Sequence, residues 1–292
     1  MKKIKVFLAG LIMLVFMTGM LPLQTKAQGQ GSVNLQYFYD NLSPYGSWVS
    51  SPRYGNVWVP DVAEGFRPYY SNGRWVFTND GWMWASDYDW GWAPFHYGRW
   101  VYDRQYSWMW VPGYDWAPAW VTWGSYSGYY GWAPMGPGVA FNIGYHPPID
   151  YWVFVSPMYM MEPGEWSNHC YRGSNNRIRF DERTSLTVVN NITVVNNVHN
   201  YNGRRFSAGP TREGYEKAVN RKVEAVSLRD NDKPGKVELK GNEARVYRPK
   251  VDAADKGTAK PAKVVPIENL KRVNPGKPPQ PQHQPKEQVK PP

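Results

Sequence analysis

The chain has 292 residues, with 34 Lys+Arg against 24 Asp+Glu and a formal net charge of +10. Its 27 Gly and 26 Pro are too many for an ordinary helical protein. A single Cys excludes an intramolecular disulfide framework, and 16 Trp with 21 Tyr exclude disorder throughout.

At the N-terminus, Lys2, Lys3 and Lys5 precede a run from Val6 to Leu23 that is apolar apart from Gly, Thr and one Pro. Thr25-Lys26-Ala27 then offers a small-x-small pattern suited to cleavage after Ala27. Residues 1–27 therefore read as a secretory signal peptide. The run is nearly long enough to act as an uncleaved membrane anchor, but Pro22 favours removal. No Cys lies near the site, which excludes lipoprotein processing. No later stretch is apolar for long enough to predict a helical span in the mature chain.

All 16 Trp fall between Trp48 and Trp166. Within that window the sequence repeats. Tyr45-Gly-Ser-Trp-Val…Val-Trp-Val-Pro60 matches Tyr97-Gly-Arg-Trp-Val…Met-Trp-Val-Pro112 at 8 of 16 positions, 52 residues later. A copy at Asn72-Gly-Arg-Trp-Val76 lies between them, so the period is about 26. Tyr88-Asp89-Trp90 recurs as Tyr114-Asp115-Trp116, and Trp-Ala-Pro occurs three times. Each unit reads as two short strands. Trp75-Val-Phe77 and Trp82-Met-Trp84 put aromatics at i and i+2, on one face of a strand, around the turn Thr78-Asn-Asp-Gly81. Trp100-Val-Tyr102 and Trp108-Met-Trp110 do the same. The Pro that follows ends each strand.

The expected fold is mainly β: a meander of aromatic hairpin repeats over residues 37–166, about eight strands in all. A buried Trp hides roughly 150–250 Å², at most about 4–6 kcal/mol each. Residues 167–206 form an Asn/Arg-rich strand segment. There Leu186-Thr-Val-Val-Asn-Asn, Ile192-Thr-Val-Val-Asn-Asn and Val198-His-Asn-Tyr-Asn-Gly repeat every six residues. Three units are too few for a free-standing β-helix, so one long strand or hairpin is expected, paired within the fold or with another copy. Residues 207–252 form a small basic α+β segment. It has helical spacing over Thr211–Arg229 and two strands around Gly241-Asn242. Residues 253–292 read as a disordered Pro/Lys-rich tail.

The charge is unevenly divided. The signal carries +4, residues 28–166 carry −6, residues 167–206 carry +4 and residues 207–292 carry +8. An acidic aromatic domain would repel phosphate, so nucleic acid is not an expected partner. The basic region would instead meet anionic envelope components, namely anionic lipid, lipopolysaccharide or polysaccharide, or another envelope protein.

The Tyr-Gly-x-Trp-Val start, Arg67-Pro68, Gly73-Arg-Trp-Val76, Trp90-Gly-Trp-Ala-Pro-Phe-His-Tyr-Gly-Arg-Trp100 and Trp116-Ala-Pro-Ala-Trp-Val121 carry a resemblance. The chain resembles an uncharacterised family of exported Trp/Tyr-rich bacterial proteins, over roughly residues 37–250. The resemblance implies export to the envelope of a didermic bacterium: periplasmic, outer-membrane-associated or secreted. It implies no catalytic residues.

Candidate sites follow from the same residues. Trp82, Trp84, Trp108 and Trp110 could form stacking platforms for sugar rings, or pack as hairpin core. The run Trp90-Gly-Trp92 suggests a strand with aromatics on both faces, which could not all be buried. Asp89 and Asp115 lie among aromatics, as in sugar-processing clefts, but as repeat equivalents they suit a turn-capping role. His169-Cys170 does not match zinc spacing, and no metal or other cofactor is expected. Cys170 as a nucleophile would need an activating setting. The strands are too short and too often broken by Pro for an outer-membrane barrel. The leading expectation is a non-enzymatic envelope protein of structural or interaction type. The alternative is a glucan- or peptidoglycan-binding module that uses exposed Trp.

Overall fold

Two aromatic strands joined by a tight turn can bury one face by pairing with each other, and each Trp-rich repeat does so as an antiparallel hairpin. A computed structural model describes residues 32–140, 146–162, 166–174, 177–179, 185–187, 192–254 and 258–270. The signal-like residues 1–27 and the tail residues 271–292 lie outside the described residues. Helix α1 (Leu35–Leu42) comes first, its N-terminus capped by the Asn34 side chain, which accepts a hydrogen bond from the Tyr37 N–H. Four hairpins follow: β1 (Gly46–Ser51) with β2 (Gly55–Pro60), β3 (Gly73–Thr78) with β4 (Gly81–Ser86), β5 (Arg99–Asp103) with β6 (Ser107–Val111), and β7 (Val121–Tyr126) with β8 (Tyr129–Pro134). The class is mainly β, and these are the eight strands expected.

Every hairpin sets one Trp directly opposite another: Trp48 and Trp58, Trp75 and Trp84, Trp100 and Trp110, Trp123 and Trp132. This register explains the Gly-x-Trp motif. The second indole leans across the partner strand, onto the residue two places before the first Trp. A Cβ added at Gly46, Gly73 or Gly98 would sit 2.8, 2.7 and 2.8 Å from ring atoms of Trp58, Trp84 and Trp110. Only hydrogen fits there.

The first and third repeats, the pair matched at an offset of 52, join edge to edge. Trp58 on β2 faces Trp110 on β6, which gives a four-stranded sheet of order β1-β2-β6-β5. The second hairpin remains two-stranded. The fourth joins β9 (Val153–Val155), β10 (Cys170–Ser174), β11 (Arg177–Arg179), β12 (Ser185–Thr187) and β13 (Thr193–Val194) in a sheet of order β12-β11-β10-β9-β8-β7-β13. Indole contacts tie the hairpins together. Trp75 lies 4.5 Å from Trp123 and 5.3 Å from Trp132, while Trp48 lies 6.3 Å from Trp110.

Three expectations change. The Trp90-Gly-Trp92 run is a series of turns, not a strand, closed by the Phe95 N–H to the Gly91 carbonyl and the Tyr97 N–H to the Ala93 carbonyl. Its two rings are buried on different sides, Trp90 against Trp58 and Phe95, Trp92 against Phe38 and Tyr247. The six-residue repeats form neither one strand nor one hairpin. Leu186 lies in β12, Thr193 in β13 on the opposite edge of that sheet, and β14 (Val198–Tyr201) pairs with β15 (Arg204–Ser207). Residues 188–191 lie outside the described residues. The helix expected over Thr211–Arg229 is shorter: α2 spans Arg212–Val219 and stops where Asn220 turns left-handed at φ 52°. The Val226 N–H then bonds the Phe77 carbonyl, which draws the chain onto β3.

Strands β16 (Ser227–Asp230), β17 (Glu238–Lys240) and β18 (Glu243–Val246) follow as a three-stranded sheet, with the last two on either side of Gly241-Asn242 as expected. This segment builds no core of its own. Tyr215, Val223, Ala244, Val246 and Tyr247 join the Trp core, and the Trp82 indole N–H bonds the Pro210 carbonyl. Part of the expected tail also belongs to the fold. The Val265 N–H bonds the Trp48 carbonyl at 2.8 Å. Ile267 and Leu270 pack over Val49, Val57 and Met109, on the face of the four-stranded sheet away from the Trp pairs.

A Gly73→Ala protein should lose about 2–3 kcal/mol of stability, because the Trp84 ring must move. Gly235→Ala, with nothing within 4 Å of the new Cβ, should change it by less than about 0.5 kcal/mol. Urea denaturation of both variants checks the contrast.

Candidate functional site

The four rings expected as stacking platforms are all in the core. Trp82, Trp84, Trp108 and Trp110 are 1, 0, 4 and 0 % exposed. Trp82 packs edge-on against Tyr215 at 4.8 Å, Trp84 against Trp75 at 5.4 Å, and Trp110 against Phe38 at 5.7 Å. Trp108 lies 5.0 Å from Tyr151. A sugar ring cannot stack on faces already covered by protein. This corrects the platform reading at these four positions. All 16 Trp of the chain are buried.

The two repeat-equivalent carboxylates have different surroundings. Asp115 accepts a hydrogen bond from the Arg204 guanidinium at 3.0 Å, which fastens the β14–β15 hairpin to the aromatic domain. Asp89 is exposed. The neighbouring Asp87 lies 4.0 Å from Arg74. His169 stacks flat on Tyr159 at 3.6 Å. The Cys170 thiol donates to the Trp166 carbonyl, and burial pushes its pKa up, the opposite of an activated nucleophile. Among the described residues, no group of three or more His, Cys, Asp and Glu could hold a metal ion.

Sequence reasoning missed the buried polar groups of the Phe95-His-Tyr-Gly-Arg-Trp100 motif. Nδ1–H of His96 donates to the Ala117 carbonyl at 3.1 Å, and the ring stacks on Trp116. The His96 Nε2 is buried without a hydrogen-bond partner. Desolvation therefore lowers its pKa to about 4, although the bond to Ala117 opposes the shift. The Trp120 indole N–H donates to the His96 carbonyl, and the Arg99 guanidinium lies 3.5 Å over the Trp120 ring. Desolvation lowers Arg99 to about 10, so it stays charged at neutral pH. The Tyr97 hydroxyl donates to the Pro249 carbonyl at 2.6 Å. The His96 and Tyr97 bonds and the Trp120 bond to His96 tie this loop to residues 117–120 and to Pro249, while the Arg99 Nε and the Trp100 indole N–H, like His96 Nε2, are buried without a partner. The sequence hinted at it only as a longer, more specific run than the other copies.

Among the grooves on the described surface, two are well formed. One, of about 590 Å³, lies at the tip of the β7–β8 hairpin, among Ser125–Tyr130, Thr193 and Ala218. The other, of about 730 Å³, lies between the first hairpin, the loop 61–66, the start of β6 and the C-terminal segment. Phe66, Tyr106, Trp108, Val62 and Leu270 supply its apolar lining, and Asp61 and Glu64 stand at its rim. Among the described residues neither carboxylate forms an ion pair. Phe66 and Trp108 contribute little open surface to this groove, being 7 and 4 % exposed.

A family model matches the four-hairpin region. Residues 39–139 match a family of unknown function (DUF6600). The match to DUF6600 begins inside α1 and ends just past β8, so it takes in all four Trp pairs and the Phe95–Trp100 motif. It is consistent with the uncharacterised family expected from the motifs. No curated protein and no solved structure matches the chain.

Acid stability tests the buried imidazole. Below pH 6.5 the unfolded chain takes up a proton that folded His96 refuses until about pH 4. Stability is therefore lost as pH falls through that window. Between pH 7 and pH 4.5 the native protein should lose about 2–3 kcal/mol more than a His96→Gln variant, measured by urea denaturation at each pH.

Proposed function

We propose that this chain is an exported cell-envelope protein of structural or interaction type, whose aromatic repeats build a rigid body and whose basic surface makes the contacts. The burial of all 16 Trp supports this reading most directly, because the aromatic content is used for internal cohesion. The signal-like residues 1–27 support export. The charge division supports the mode of contact. Lys217, Lys233, Lys236 and Lys240 are exposed and in no ion pair among the described residues. Anionic lipid headgroups, lipopolysaccharide or acidic polysaccharide match that surface, in the periplasm, at the outer membrane or outside the cell.

The C-terminal segment constrains the experiment. Deleting everything after residue 252 would uncover Val49, Val57 and Met109 and confuse unfolding with loss of binding. Charge neutralisation avoids this. A Lys217→Gln/Lys233→Gln/Lys236→Gln/Lys240→Gln protein should leave the envelope fraction at lower salt than the native chain, which itself should be released by about 0.5 M NaCl. Identical salt profiles would count against the basic surface as the contact. The glycan-binding alternative makes the opposite demand of the Trp residues. Glucans and peptidoglycan fragments should leave Trp emission unchanged, and a saturable shift would restore that alternative.

A further inference from the structure

The groove of about 590 Å³ at the tip of the fourth hairpin differs in chemistry from the other hairpin tips. The first tip carries Arg53, the second Asp80, and the third Asp103 and Arg104. The fourth, from Tyr126 to Tyr129, carries no charged residue. Its turn is Ser127-Gly128, at φ 49° and 83°, both positive as a two-residue type I′ turn requires. The turn sets Tyr126 opposite Tyr129 and Ser125 opposite Tyr130. On its other side Ser125 pairs with Thr193 of β13, which puts that hydroxyl on the same face. Six of the eight lining residues therefore bear a hydroxyl, and none bears a charge. The three tyrosines are half-buried. The hydroxyls of Ser125, Ser127, Tyr130 and Thr193 make no hydrogen bond among the described residues. Burial raises the Tyr130 pKa, so that hydroxyl stays protonated.

We propose that this hairpin tip is a binding site for a neutral saccharide, with tyrosine rings against the sugar faces and the hydroxyls of Ser125, Ser127, Tyr130 and Thr193 bonding the sugar hydroxyls. Each class of ligand makes a different demand. An anion needs a cation, and no lining residue supplies one. An apolar segment needs a dry wall, and burying four unpaired hydroxyls beneath it would be costly. A pyranose has C–H faces edged by hydroxyls, and half-buried rings beside unpaired hydroxyls match both. The volume lies in the usual range for a small-molecule site. The site uses tyrosines at the edge of the fold and none of the indoles, all of which are buried. It adds to the charge-based contact proposed for the basic surface, and either can fail alone.

The test is isothermal titration calorimetry of the full-length chain with cellotriose, maltotriose and chitotriose, with polygalacturonate as the charged control. At least one of the neutral sugars should bind saturably, with a dissociation constant of about 1 mM or below. That affinity should be unchanged in about 0.5 M NaCl. A Ser125→Ala/Tyr130→Phe/Thr193→Ala protein should bind at least about tenfold more weakly. Without sugar it should melt with the native chain, since the three hydroxyls bond nothing in the protein. The Lys217→Gln/Lys233→Gln/Lys236→Gln/Lys240→Gln protein should bind the sugar like the native chain, which separates this site from the basic surface. No binding of any neutral sugar would overturn the proposal, and so would equal affinity in the hydroxyl variant. Preference for polygalacturonate, affinity that falls with salt, or loss of binding in the lysine variant would also overturn it, because the contact would then be ionic.

Discussion

The directly opposed pair of indoles is the interaction on which the rest of this structure depends. A hairpin alone is marginal in water, because it buries little and orders much. Two indoles on one face raise the buried area per hairpin, but they create a problem of width. The second ring overlaps the neighbouring position on the partner strand, so that position must be glycine, as at Gly46, Gly73 and Gly98. The same rings project beyond their own hairpin and pack on the next one. Trp75 meets Trp123 and Trp132, and Trp58 lies opposite Trp110. Each repeat is therefore completed by its neighbours, and the four hairpins form one cluster of buried side chains with α1 and the C-terminal strands.

The fourth hairpin shows what happens when the rule is relaxed. Val121 stands where the others have glycine, and the glycines move to Gly124 and Gly131. Side chains added there would strike Trp152 and Phe154, residues outside the repeats. The close approach is kept, but its partner is now the sheet that extends from β8 through β9. This exchange lets a short, self-contained hairpin seed a seven-stranded sheet.

Local pairing was legible in the sequence, and long-range pairing was not. Aromatics at i and i+2 with a turn between them name a hairpin, and that held for Trp75–Phe77 with Trp82–Trp84. The offset of 52 between the first and third copies gave only a period, yet these are the two hairpins that share a sheet. Periodicity misled where a backbone partner lay far away. The Val-rich hexads have the same local preference, yet β13 pairs with β7 and β14 pairs with β15. Helix α1 carries Leu35, Phe38, Tyr39 and Leu42 on its apolar face, but its 8 residues are too few for that spacing to stand out in the sequence. At the candidate site, sequence could name the aromatics but not their exposure. In a β-strand, alternation assigns a residue to a face, and whether that face is wet depends on what packs over it.

That last point also decides where function can reside. The four-stranded sheet has a Trp face inside and a Val/Met face outside, and the outer face is closed by Ile267 and Leu270 from the C-terminal segment. A chain whose core is this aromatic cannot leave such a face bare without inviting self-association. The segment after residue 257 thus has a role that composition concealed, since its Lys and Pro content resembles that of a linker. Of its apolar residues, Val265, Ile267 and Leu270 touch the sheet or line the groove, whereas Val264 is exposed. The layer laid over the acidic aromatic body is held down by a handful of aliphatic contacts and one backbone hydrogen bond to Trp48.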